Sequence, residues 1–151
     1  MNDHLYRFAH SSNIYTPFAN EYGCGWFDGG CFIFARALQL WLGGRLAVIV
    51  RKELVREQAF DHVVLSLSDP QHVGDTLYLD ADGASSAHTL LNRWRTRERL
   101  PDAILEDPAS RTRFLPPLWK ESWSAWLARH LEAKFGKPTW PELAGLLGQR
   151  E

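Results

Sequence analysis

Three residues of this chain have the types and order needed for nucleophilic acyl chemistry. Cys31 follows Gly29-Gly30 and opens an apolar run, Phe32-Ile33-Phe34-Ala35-Arg36-Ala37-Leu38-Gln39-Leu40-Trp41-Leu42, that stops at Gly43-Gly44. A thiol at a helix start lies beside unpaired backbone N–H groups and the positive end of the helix dipole, and both favour thiolate, the nucleophilic form. His62 heads the run His62-Val63-Val64-Leu65-Ser66-Leu67, and Asp80 closes Thr76-Leu77-Tyr78-Leu79-Asp80. A thiolate needs an imidazole to take and return a proton, and the imidazole needs a carboxylate to orient it. His62 comes 31 positions after Cys31, room for a helix, a strand and a connection, while Asp80 comes 18 after His62, room for a hairpin. The arrangement expected is Cys31 against one ring nitrogen of His62 and Asp80 against the other. Gly30 and the Cys31 N–H are the candidate backbone groups for an oxyanion, with Gly29-Gly30 permitting close approach of a substrate.

The elements that must position these residues are legible in the pattern. Phe34, Leu38, Trp41 and Leu42 keep the rhythm of a buried helix face over residues 31–42. Leu46 to Val50 is apolar throughout and predicts a strand buried on both faces. The runs at 62–67 and 76–80 are separated by Asp69-Pro70 and Gly74-Asp75, both turn signals. Three strands joined by short connections predict an antiparallel sheet with the Cys31 helix packed on it, hence an α+β fold. Residues 1–30 have few periodic signals and read as irregular structure with a short helix, and Arg51 to Gln58 as a connection or short helix. Helices are predicted at 88–100, 118–135 and from the capping box Thr139-Trp140-Pro141-Glu142 to about Leu147, with residues 101–117 as loop. The whole is expected to be one domain, residues 1–87 forming the α+β core and 88–151 a helical part packed on it.

With these segments in place, a resemblance emerges. Gly29-Gly30-Cys31-Phe32, His62 at a strand start, and Leu77-Tyr78-Leu79-Asp80-Ala81-Asp82-Gly83 resemble the transglutaminase-like branch of papain-fold cysteine enzymes, including the arylamine N-acetyltransferases. The likeness covers about residues 25–85. It implies a papain-like core, a Cys31–His62–Asp80 triad and a cysteine-dependent acyl transfer by a protease, isopeptidase, amidase or transglutaminase-like enzyme. The chain departs from the acetyltransferases in lacking the residue between Gly-Gly and Cys, in its length and in having no evident coenzyme A site. No substrate is carried over. Asp82 is the rival orienting acid, since a strand continued through Ala81 would point Asp80 and Asp82 to one face. The resemblance favours Asp80.

Other features have plainer readings. Cys24, between Gly23 and Gly25, lacks a helix-start environment. Cys24, Cys31, His62 and Asp80 could supply four zinc ligands, but the paired spacings typical of structural zinc are missing, and no metal or cofactor is expected. Arg93, Arg95, Arg97 and Arg99 are interrupted by Glu98 and read as a solvated helix face. Trp119, Trp123 and Trp126 read as a packing stripe. Net charge of −1 gives no drive toward nucleic acid, no apolar run is long enough to span a bilayer, and two cysteines with no signal peptide after Met1-Asn2-Asp3 fit a cytoplasmic setting. The partner expected is a protein or peptide. The alternative to an enzyme is a binding factor on the same frame, such as a phage or mobile-element inhibitor, using its many Trp and Arg side chains.

Overall fold

The strand Val48-Ile49-Val50 is apolar at consecutive positions because both of its faces are covered. In the computed structural model, which describes residues 4–27, 29–51, 61–69, 71, 75–107 and 119–147, it lies in β1 (Arg45–Arg51). Val48 and Val50 pack with Cys31, Phe32, Ala35 and Val63 on one face. Ile49 packs with Val64, Leu90, Trp94 and Ala103 on the other. This is the strand alternation of period two with apolar residues on both sides.

β2 (His62–Ser68), β3 (Thr76–Asp80), β4 (Gly83–Ser85) and β5 (Ala103–Glu106) complete an antiparallel sheet in the order β4-β3-β2-β1-β5. Six helices accompany it among the described residues: α1 (His4–Ala9), α2 (Ser12–Tyr22), α3 (Cys31–Leu42), α4 (Ala87–Thr96), α5 (Glu121–Phe135) and α6 (Trp140–Leu147). The protein is therefore α+β with C-terminal helices.

Helix α3 joins the largest core, where Ile33, Phe34, Ala37, Leu38 and Trp41 meet Leu65, Leu67 and Leu79 of the sheet and Leu127 and Leu131 of α5. A buried polar latch ties α5 to α3: Ser124 Oγ donates to the Ile33 carbonyl at 3.1 Å and accepts from Trp119 Nε1 at 3.3 Å. On the opposite face α4 lays Leu90 and Trp94 over Ile49 and Val64. Ser86 caps it, its hydroxyl accepting from the Thr89 N–H at 3.2 Å.

Three expectations need correction. The described residues among 1–30 hold two helices; α2 forms despite Pro17 because Ile14 and Phe18, one turn apart, are both buried in the core. Residues 103–106, read as loop, are strand β5, paired with β1 from Val48↔Glu106 to Arg51↔Ala103. Helix α4 ends at Thr96, short of Leu100. The Trp stripe does pack: Trp119, Trp123 and Trp126 lie half-buried against the largest core beside the fully buried Ser124, Leu127 and Leu131, and Trp123 and Trp126 also line a surface groove of about 540 Å³ with Pro17, Ser122 and Arg129. Residues 52–58 and Leu118 lie outside the described residues.

Candidate functional site

The registers explain how His62 and Asp80 meet. Leu65 pairs with Leu79, so one step further along the antiparallel ladder sets Val64 opposite Asp80. His62, two residues on, shares the face of Val64 and is the diagonal neighbour of Asp80, within reach of a long side chain. The result is a contact of 3.0 Å between His62 Nε2 and Asp80 Oδ2. Both side chains are buried, at 1% and 3% exposure for the two residues, and Cys31 is 7% exposed.

His62 is sandwiched between Phe27, stacked at 5.1 Å between ring centroids, and Trp94, stacked at 4.6 Å. These rings fix its plane. Burial alone would lower the proton affinity of the imidazole, but the Asp80 hydrogen bond, the Cys31 thiol and their charges outweigh it, and the His62 pKa is raised to about 9. With Nε2 on Asp80, Nδ1 is the ring nitrogen left for Cys31. The sulfur is close enough to influence the ring, yet Nδ1 is buried with no aligned hydrogen-bond partner. The two groups are in interaction range without a formed hydrogen bond.

Asp80 is held from three sides. Oδ2 also accepts from Arg93 Nη2 at 2.9 Å, and Oδ1 accepts from the Asp82 N–H at 2.8 Å. Burial pushes its carboxyl up, but the His62 hydrogen bond and charge, the Arg93 charge and the Asp82 N–H prevail and hold it below the ordinary carboxylate value.

Asp82 does not take the orienting position. Strand β3 stops at Asp80, and Ala81-Asp82 turns the chain into β4, which begins at Gly83 with φ of 114°. The Asp82 carboxylate instead faces Arg93 Nη1 at 3.6 Å. Gly30 also differs from expectation. Its N–H is donated to the Gly25 carbonyl at 2.9 Å, so it is not free for an oxyanion. Its missing side chain serves packing rather than substrate approach, because a Cβ there would fall 2.5 Å from Phe18 Cζ and 2.8 Å from the Gly25 oxygen. The Cys31 N–H remains as the backbone group at the start of α3.

The chain matches no protein-family model, no curated protein and no solved structure.

Cys24 and Cys31 are not joined by a disulfide. Cys24 is half-buried, and its Sγ sits 3.0 Å from where a Cβ on Gly29 would be. Among the described residues no three His, Cys, Asp or Glu side chains are arranged to hold a metal ion, and no helix is long and apolar enough to cross a membrane.

Three contributors escape the sequence reading. Phe27 and Trp94 look like ordinary core residues, and nothing in their spacing points to His62. Arg93 carries a usable signal: it lies three residues after Leu90 and adjacent to Trp94, at the margin of the buried stripe of α4, where a solvated arginine is least expected. Arg95, from the same run, donates twice to the Ala103 carbonyl, at 3.1 and 2.8 Å.

Proposed function

We propose that this protein is a cysteine-dependent acyl-transfer enzyme acting on an amide, ester, thioester or isopeptide of a protein or peptide, with Cys31 as nucleophile, His62 as base and Asp80 as the orienting acid. The observation that carries the reading is the buried His62–Asp80 pair with the remaining ring nitrogen left to the Cys31 thiol. The order of helix-borne Cys, strand-borne His and Asp on the next strand is that of the transglutaminase-like branch of the papain fold, and a relationship to it is part of the proposal.

The chemistry follows from the geometry. With the proton of the Cys31–His62 pair held on Nδ1 and Nε2–H on Asp80, the Cys31 thiolate attacks the carbonyl carbon. The carbonyl oxygen becomes an oxyanion facing the Cys31 N–H. Collapse of the tetrahedral adduct breaks the bond to the leaving group, which takes the Nδ1 proton from His62. Water or an amine then attacks the thioester, giving its proton back through His62 and releasing the thiol. The choice between water and amine separates hydrolysis from transfer.

One observation favours the second reading, a binding factor on the same frame. All three side chains are nearly closed to solvent, so an acyl group reaches Cys31 only after local opening. Intact-protein mass spectrometry with iodoacetamide and an electrophile panel at pH 6 separates the two. An enzyme labels at Cys31 faster than at Cys24, and Cys31→Ser removes the adduct. Labelling of Cys31 no faster than that of Cys24 would replace the enzyme with the binding factor.

A further inference from the structure

Oδ2 of Asp80 accepts from two donors at once, His62 Nε2 at 3.0 Å and the guanidinium Nη2 of Arg93 at 2.9 Å. The guanidinium is itself mostly buried, and its other end faces Asp82 Oδ2 at 3.6 Å. Among the described residues, the charged or titratable groups facing His62 are Cys31 from α3, Asp80 from β3 and, through that carboxylate, Arg93 from α4 with Asp82 from the turn. Phe27 and Trp94 cover the ring faces and carry no charge.

We infer that Arg93 is a positioning residue for the His62–Asp80 pair: a second cation on the oxygen that accepts from His62, which weakens the hold of Asp80 on the imidazole proton. This rests on the reading of His62 as the base. The physical argument is electrostatic. A carboxylate oxygen shared by two cations stabilises each less than it would stabilise one alone, and in a buried site the two cations repel with little screening. An imidazolium paired with an unshared buried aspartate would keep its proton too firmly to pass it to a leaving group, because a general acid works best with a pKa near the operating pH. Arg93 relaxes that hold without removing the orienting contact. Only a planar fork can span Asp80 and Asp82 together, which makes arginine the suitable cation.

The test is an NMR titration of the His62 ring in ¹⁵N-labelled full-length wild type, Arg93→Gln and Arg93→Lys. Arg93→Gln should raise the His62 midpoint by at least about one pH unit, the size expected for loss of a unit charge a few ångströms from the ring. Arg93→Lys should raise it less, because an ammonium keeps the charge but cannot hold both carboxylates. A merely structural arginine would leave the midpoint of a folded variant in place. An unchanged or lowered midpoint in Arg93→Gln overturns the inference. If that variant does not fold, Arg93→Met, equally uncharged and closer in shape to the arginine stem, is titrated in its place and decides it by the same criterion. The titration reads His62 without requiring turnover, so a wild type that never forms an acyl-enzyme defeats the enzyme reading and leaves this result standing.

Discussion

Gly30 and Phe18 leave no space for a side chain between them: a Cβ on Gly30 would lie 2.5 Å from Cζ and 2.7 Å from Cε1 of the ring. Phe18 is itself fixed, stacked on Trp26 with centroids 4.1 Å apart. The start of α3, and with it Cys31, is therefore seated against the aromatic cluster of α2.

Gly30→Ala should destabilise the protein by about 1–3 kcal/mol through overpacking. The backbone at Gly30 has φ of −88°, which alanine adopts freely, so the effect is steric. Pairing Gly30→Ala with Phe18→Leu should recover part of the loss in urea melts. Strict additivity of the two changes would refute the contact as the cause.

Stability should fall on the alkaline side. The His62 pKa of about 9 in the folded protein exceeds the ordinary imidazole value of about 6.5. Its contribution is then complete below pH 6.5, roughly, and is lost as pH rises through about 9. Asp80 is lowered, so its contribution is present above the ordinary carboxylate range and is lost as pH falls through its folded value. Denaturation midpoints should be highest between about pH 5 and 6.5 and decline toward pH 9.5, and His62→Gln should flatten the alkaline decline. A wild-type midpoint unchanged from pH 6 to 9.5 would contradict this.

Asp80→Asn should cost about 3–5 kcal/mol, because it leaves His62 and Arg93 without their shared anion in a buried site. His62 should then titrate below the wild type, since burial is no longer outweighed by the carboxylate. Guanidinium melts and the His62 NMR midpoint read the two effects separately.

Ser124→Ala should cost about 1–3 kcal/mol, leaving the Ile33 carbonyl and the Trp119 indole N–H without their shared hydroxyl. Trp119 fluorescence should report the change, because its ring is also packed edge-on against Phe32 at 5.1 Å. A melt and an emission spectrum matching wild type would show the latch contributes nothing.

The parts of the fold that the sequence discloses are those where local signals agree with tertiary packing. Helix α3 is readable from its apolar period and the Gly residues at both ends, and β3 from alternation bounded by turns. The nearness of His62 and Asp80 follows from hairpin pairing and the two-residue period. What stays hidden depends on partners distant in sequence. Helix α2 carries an internal Pro17, a breaker signal that burial of Ile14 and Phe18 overrides. β5 has four residues, too few for a pattern, and exists because β1 offers it a hydrogen-bonding edge. Arg93 looks solvated because the carboxylates that receive it, Asp80 at the end of β3 and Asp82 in the turn after it, are brought to it only by packing of α4 on the sheet.

The position of β5 has a consequence for how the chain avoids its neighbours. Among the described residues, the apolar Val48-Ile49-Val50 of β1 stands one strand from the margin of the sheet, covered on that side by the four residues Ala103–Glu106. β5 is four residues long and ends on Glu106, followed by Asp107, the short and charged build that disfavours pairing with a foreign strand. Peeled away, it would uncover a hydrophobic template ready for strand addition. The Arg95 side chain, donating twice to the Ala103 carbonyl, ties the first residue of that short strand to α4, so loss of Arg95 should loosen the cover over β1.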